Sequence, residues 1–183
     1  MTEPAQTADS ARLAMVGEAP VLAEIQRRAW PDRLPADAVA RLSDELGLEA
    51  MAQAWERAIA RPPEARCRVL VAVSGTGRLA GFAVTSPSDD PDADPARTGT
   101  VEEFVIDPAA RGRGHGSRLL NACADTLRAD GFTRATWWLP AGDDATRAFL
   151  AGAGWEPDGA HREIGTEDGT VRIKQVRLHT DLG

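Results

Sequence analysis

The chain has 183 residues, 43% of them hydrophobic, and a formal net charge of −7. That length and apolar content suit one domain around a single core, while the acidic balance argues against nucleic-acid binding, which needs basic surface. No apolar run approaches the roughly 18 residues of a membrane span. The start, MTEPAQTADS, lacks the basic and apolar regions of a secretory signal, and Cys67 and Cys123, on apparently buried faces, give no metal-ligating or disulfide spacing. A cytoplasmic protein without a metal is expected.

Residues 1–10 are polar and read as a flexible N-terminus, with the folded domain over 11–183. Ala11–Val16 reads as a first strand. Pro20 suits the first turn of a helix that carries Val21, Leu22, Ile25 and Ala29 on one face until Trp30-Pro31 breaks it. A second helical stretch, Ala36–Leu46, stops at Gly47. A third carries Leu48, Met51, Trp55 and Ile59 until Pro62-Pro63. Trp30 reads as a core side chain in preference to the lining of a substrate mouth. The pattern then changes to strands: Arg68–Val73 and Leu79–Thr85 flank Gly75-Thr76-Gly77, a hairpin signal. Ser86–Gly99, rich in proline and carrying Asp89, Asp90, Asp92 and Asp94, reads as a solvated, mobile loop.

Val101–Leu120, VEEFVIDPAARGRGHGSRLL, is the most informative stretch. Val101, Phe104, Val105 and Ile106 form a β-prone run that Asp107-Pro108 ends, because proline has no amide for a ladder. Arg111-Gly112-Arg113-Gly114-His115-Gly116 follows, and then Leu119, Leu120, Cys123 and Leu127 recur at helical spacing up to Asp130-Gly131. Glycines ahead of a helix let backbone amides approach an anion, and the helix N-terminus, Arg111 and Arg113 add positive charge. His115 reads as a surface residue of this turn. A phosphate-binding Walker loop would need Lys-Ser or Lys-Thr after Gly116, where Ser117-Arg118 stands. A dinucleotide fingerprint would need glycine at Ser117 and an acidic residue ending the next strand, which ends instead at Leu139-Pro140.

Phe132–Leu139 is a further strand, Pro140-Ala141-Gly142 turns the chain, and Asp143 or Asp144 caps a helix through Ala145, Ala148 and Phe149 that stops at Gly154. Two closing strands are expected around Trp155–Ile164 and Thr170–His179. In the second, apolar residues change phase between Ile173 and Val176, which suggests a bulge near Lys174-Gln175.

Arg111, Gly114 and Gly116, placed after Ile106, resemble the acetyl-CoA signature of the GCN5-related N-acetyltransferases, the GNAT superfamily. Asp143, Phe149-Leu150 and Gly154-Trp155 are similar to a second stretch of that family, with Asp143 where asparagine is usual and Leu150 where tyrosine is usual. The order of elements over roughly residues 11–180 is that of the family too. The resemblance implies an α/β fold with a central mixed, mostly antiparallel sheet of about seven strands and flanking helices. It also implies acetyl-CoA as co-substrate, attacked directly by an acceptor amine.

By that resemblance the donor site comprises Arg111, Gly112, Arg113, Gly114, His115, Gly116 and Ser117, with Asp143 nearby. A backbone amide of Val105 or Ile106 faces the thioester carbonyl. The reaction needs a base, and Glu102 and Glu103 are adjacent charges in an apolar run, sent to opposite faces by strand alternation. Glu102 is preferred, because polyamine-acetylating members of the family carry their base at its position. The pair does not suit glycoside cleavage, since adjacent strand residues do not converge on one bond. The chain has no tyrosine, so the acid for the leaving thiolate is open among His161, Asp143 and an ordered water. The expected acceptor is a small-molecule amine or peptide, cationic if the aspartate-rich loop lies at the cleft. A homodimer is compatible with the sequence. The alternative functions are an acyl-CoA-binding regulatory protein without catalysis and a nucleotide-binding protein.

Overall fold

Apolar periodicity sets the helices and alternation sets the strands, and the computed structural model, which describes residues 8–183, follows both. The chain forms two compact units, one from residues up to 85 with 103–126, the other from 86–102 with 127–183. The strand β4 (Thr98–Ile106) contributes to both.

The first unit holds β1 (Ala8–Leu13), β2 (Arg68–Ser74) and most of β3 (Leu79–Pro87), with α1 (Ala19–Ala29), α2 (Ala36–Glu45), α3 (Leu48–Ala60) and most of α4 (His115–Ala129). Pro20 lies in the first turn of α1, where its missing amide costs no helical bond. Leu22, Ile25 and Ala29 of α1 meet Val69, Val71 and Val73 of β2, with Phe82 and Val105 completing the core. The edge of one ring meets the face of the other in the Trp55–Phe82 pair, centroids 4.8 Å apart. Trp30 packs with Ala23 and Met51, the core role expected of it.

The second unit holds β5 (Arg134–Pro140), α5 (Asp144–Gly152), β6 (Glu156–Gly165) and β7 (Arg172–Asp181). The strand order is β1-β2-β3-β4-β5-β7-β6. Pairs β1–β2, β2–β3, β5–β7 and β6–β7 are antiparallel. Strands β4 and β5 are parallel, registered over Thr98–Thr100 against Arg134–Thr136, as the helical connection α4 between them requires. This is the mixed, mostly antiparallel α/β sheet expected from the sequence.

Several details differ from the sequence reading. Strand β1 starts at Ala8, ahead of Ala11, and the rest of the expected flexible N-terminus, residues 1–7, lies outside the described residues. Cys67 is half-buried in the turn before β2, whereas Cys123 is fully buried and its thiol is pushed up to about 12 by that burial. The bulge lies on β6, not near Lys174-Gln175. Pro157 pairs with Leu178 and His161 with Val176, so four positions of β6 match two of β7, around Gly159 at φ +85°. Strand β7 pairs with β5 without a break, and its change of apolar phase comes from Arg177, a buried charge on the face that carries Ile173.

The segment expected to be solvated is anchored. Strand β3 continues through Pro87, and Ser86, Ser88 and Asp90 are buried. Composition misleads here because the aspartates have partners on distant strands, described below.

Gly81 lets β3 lie close against β4: a Cβ there would meet the Val105 carbonyl oxygen and stand 2.7 Å from Ile106 Cδ1. Gly81→Ala is expected to destabilise the fold by about 1–3 kcal/mol through overpacking against backbone that cannot rotate away. The midpoint of urea unfolding checks this, with Gly47→Ala, which opens onto empty space, as the control.

Candidate active site

In the first unit the site begins where β4 ends. The Asp107 amide donates to the Ala80 carbonyl at 2.8 Å. The Asp107 carboxylate accepts from the Ala109 amide at 3.1 Å and from Arg28 Nη2 at 2.7 Å. Burial raises that carboxyl, but the Arg28 bond and the Ala109 amide outweigh it and hold it below the ordinary range. Asp107 therefore fixes the strand end as well as stopping it. Sequence reading missed Arg28 because the pair is 79 residues apart.

A single 3₁₀ turn, Pro108–Ala110, leads into the glycine segment. Gly112 and Gly114 have φ of +73° and +83°, which side chains resist, and open space surrounds both. Helix α4 starts at His115, so Gly116 and Ser117 belong to its first turn and do not precede it, as had been expected of Gly116. The first amides of a helix have no intrahelical acceptor and carry partial positive charge. Arg111 and Arg113 are exposed beside them, and Arg111 Nη1 pairs with Asp32 Oδ2 at 2.6 Å. Exposed amides, two bare glycines and two guanidiniums fit a polyanion such as a pyrophosphate.

His115 is not a surface residue. It is 2% exposed, and its Nδ1 has no hydrogen-bond partner. Desolvation lowers its basicity, and Arg113 and Arg118 lower it further, so the ring is held neutral. Histidine in a charged turn reads as solvated until the helix start is placed; once α4 begins at position 115, its side chain falls on the inner face with Leu119.

The two carboxylates of β4 have different surroundings. Glu103 Oε2 accepts from Arg33 Nη1 at 3.1 Å in the first unit. Glu102, exposed in the second unit, accepts from the buried Ser86 hydroxyl. Val105 is buried and Ile106 half-buried at the strand end.

In the second unit Asp143, not Asp144, caps α5, its carboxylate accepting from the Thr146 amide at 3.0 Å. Leu150, at the position of the usual tyrosine, is completely buried. His161 is exposed on the edge strand β6, its Nδ1 3.4 Å from the Gly159 carbonyl. Three strand steps separate β6 from β4, about 14 Å at ordinary spacing, so the fold does not bring His161 together with Glu102.

Sequence reading also missed a buried ion cluster. Arg177, 7% exposed, donates to Asp158 at 2.7 Å, to Asp90 at 3.1 Å and through both terminal nitrogens to Asp92 at 2.7 and 2.6 Å. Its hydrogen bond takes the Asp92 carboxyl down to about 2. The Trp138 indole donates to Asp90 at 2.9 Å, and Arg162 lies 4.2 Å over the Trp138 ring. The only sequence signal was the lost apolar phase on β7. Among the described residues no group of histidine, cysteine and carboxylate side chains is arranged for a metal, and no helix is long and apolar enough to cross a membrane.

The profile of the acetyltransferase (GNAT) family matches residues 21–155. No curated protein sequence matches the chain. Among solved structures, the chain is similar to YncA of Salmonella typhimurium with its cofactor acetyl-CoA, at 20% identity and a TM-score of 0.66, covering 95% of this chain and 94% of that one. The ribosomal-protein-alanine N-acetyltransferase of Brucella melitensis aligns at 21% identity and a TM-score of 0.68, over 93% and 98%. The PaiA N-acetyltransferase of Thermoplasma acidophilum, in complex with coenzyme A, aligns at 12% and 0.69, over 94% and 98%. At these identities the likeness is one of fold.

The buried neutral His115 gives stability a defined pH dependence. Its basicity is lowered from the ordinary 6.5, so the unfolded chain takes up the proton first. Its contribution is fully present above 6.5 and is lost as pH falls below that value through the lowered one. Urea unfolding between about pH 7.5 and 5 should show a steeper loss in the parent than in His115→Leu, which has no proton to bind. Parallel curves for the two would show that His115 is not buried as described.

Proposed function

Because the chain belongs to the GNAT acetyltransferase family, we propose that it transfers the acetyl group of acetyl-CoA to a primary amine by direct attack on the thioester, with residues 11–183 acting as one acetyltransferase domain. The observation that carries this reading is the pair of bare, positive-φ glycines leading into the N-terminus of α4. The Salmonella relative bears acetyl-CoA and the Thermoplasma relative coenzyme A, in keeping with a turn here that suits a pyrophosphate. The amides from Gly112 to Ser117, with Arg111 and Arg113, hold the donor's phosphates. The backbone at Val105 and Ile106 supplies the amide that faces the carbonyl oxygen. We propose Asp143, which sets the start of α5, as a further residue for the donor.

Acetyl-CoA supplies an activated acyl carbon and a thiolate leaving group; the protein must supply a neutral amine. We assign the base to Glu102, because the neighbouring Glu103 is engaged by a cation. The thiolate takes its proton from water, since His161 lies three strand steps from the strand that carries Glu102. We infer a small cationic amine or the amino end of a basic peptide as acceptor, attracted by Glu102 and the exposed Asp89. Asp90 and Asp92 add less attraction than their number suggests, since Arg177 and Arg162 offset their charge.

Two variants test the two halves of the site. Gly114→Val forces a side chain into positive φ and should weaken coenzyme A binding by roughly ten- to a hundredfold in calorimetry. Glu102→Gln should keep that affinity and lower turnover, followed by thiol release with a panel of amines, by roughly 10²–10⁴. Unchanged affinity in the first variant would remove the donor assignment. Tight donor binding by the parent with no turnover on any amine would favour a regulatory acyl-CoA-binding protein, a reading that the buried Leu150 at the usual tyrosine position also suits.

A further inference from the structure

Arg177 is a buried, permanently charged side chain that the chemistry above leaves unused, and its contacts lead step by step to the proposed base. Its guanidinium holds Asp90 and Asp92, both in the segment between β3 and β4. The Ser88 hydroxyl lies 3.4 Å from the Asp90 carboxylate and 3.3 Å from the Asp90 amide, bonded to both. The Ser88 amide donates to the Thr98 carbonyl at 2.9 Å, which ties the end of β3 to the start of β4. Two residues earlier stands Ser86, 5% exposed, whose hydroxyl reaches Glu102 Oε1. The Pro87 carbonyl, 3.2 Å from Ser86 Oγ, is the hydroxyl's other acceptor. A hydroxyl has one proton, and the charged carboxylate is the stronger acceptor of the two.

We propose that Ser86 is a positioning residue for Glu102 and that the Arg177 clamp on Asp90 and Asp92 holds Ser86 in place. This rests on the reading of Glu102 as the base. An exposed glutamate has several rotatable bonds, and a base must hold its oxygen within hydrogen-bond reach of the amine. One fixed oxygen leaves the other directed outward. Strand β3 holds the serine backbone and the Ser88 amide ties the strand end to β4, but the chain beyond, rich in aspartate and proline, needs a further anchor. Arg177 provides that anchor from β7.

The test uses the full chain with acetyl-CoA and the amine of the panel that turns over fastest, beside the carbon-13 carboxyl signal of Glu102. Ser86→Ala should lower kcat on the order of tenfold, with KM for acetyl-CoA unchanged, and shift the Glu102 signal. Ser86→Thr, which keeps the hydroxyl, should restore both. Arg177→Lys keeps the charge but loses the fork that grips two carboxylates. It should reproduce the loss, and combining it with Ser86→Ala should add nothing further. Asp92→Asn, at a largely exposed side chain, gives a milder form of the same effect if Arg177→Lys does not fold. A Ser86→Ala enzyme with parental kcat and an unmoved Glu102 signal overturns the proposal, and so does additive loss in the double variant. Glu102→Gln separates the two levels: full activity in that variant removes the base assignment, whereas a dead Glu102→Gln beside an unaffected Ser86→Ala removes only the positioning role. If no amine turns over, the carboxyl signal in the serine and arginine variants decides.

Discussion

A guanidinium cannot give up its proton in a protein, so burying one obliges the fold to bring acceptors to it. Arg177 sits on β7 with 7% of its surface exposed. Three carboxylates meet it, Asp158 from β6 and Asp90 and Asp92 from the segment after β3. Arg134 and Arg162 stand close to Asp158 and Asp90, so three arginines face three aspartates and the cluster is formally neutral. The Trp138 indole donor occupies part of Asp90, and its ring face receives Arg162. Each buried polar group thus has a partner, which separates such a cluster from a costly isolated charge. Removing one member would strand the others, so much of the second unit's order depends on this single arginine.

The first unit solves a different problem with a different device. Its core is apolar, and its one buried carboxylate at the site, Asp107, is tied to Arg28 and to a backbone amide. That tie sets where β4 ends and hence where the glycine turn begins. The turn itself has two glycines at positive φ with open space around them. Rigidity comes instead from the elements on either side, the pinned strand end and the helix whose first residue, His115, is buried. Amides left bare in this way can serve as an anion site only where their neighbours are fixed.

Local patterns made most of this legible from the sequence, and distant pairs hid the rest. The three helices before β2 follow from apolar spacing with Pro20, Gly47 and Pro62-Pro63 as punctuation. Strand, turn and helix around Arg111–Gly116 follow from glycine and proline chemistry, and the Asp143 cap from residue type. Most of what the sequence hides has one physical origin. The partners of Asp90, Asp107 and Glu103 lie 87, 79 and 70 positions away, and composition cannot report a charge that is neutralised from across the chain. An aspartate-rich segment therefore looked solvated, and a buried arginine in β7 looked like a bulge. His115 reads as a surface residue for a different reason: with Gly116 ahead of the helix it counts as turn, whereas it is the first residue of α4, four before Leu119 and on the same face.

The same principle explains why two adjacent glutamates are unequal. Strand alternation turns Glu102 and Glu103 to opposite faces, and the fold gives them different partners. Glu103 is paired with Arg33, 3.1 Å away. Glu102 is bonded to a hydroxyl, which supports a carboxylate through one oxygen without neutralising it, and leaves the other oxygen able to accept. A carboxylate can serve as a base where it is oriented without being paired. Of the two glutamates of β4 it is Glu102 that is bonded to a hydroxyl and Glu103 that is bonded to a cation, which is the ground for proposing Glu102.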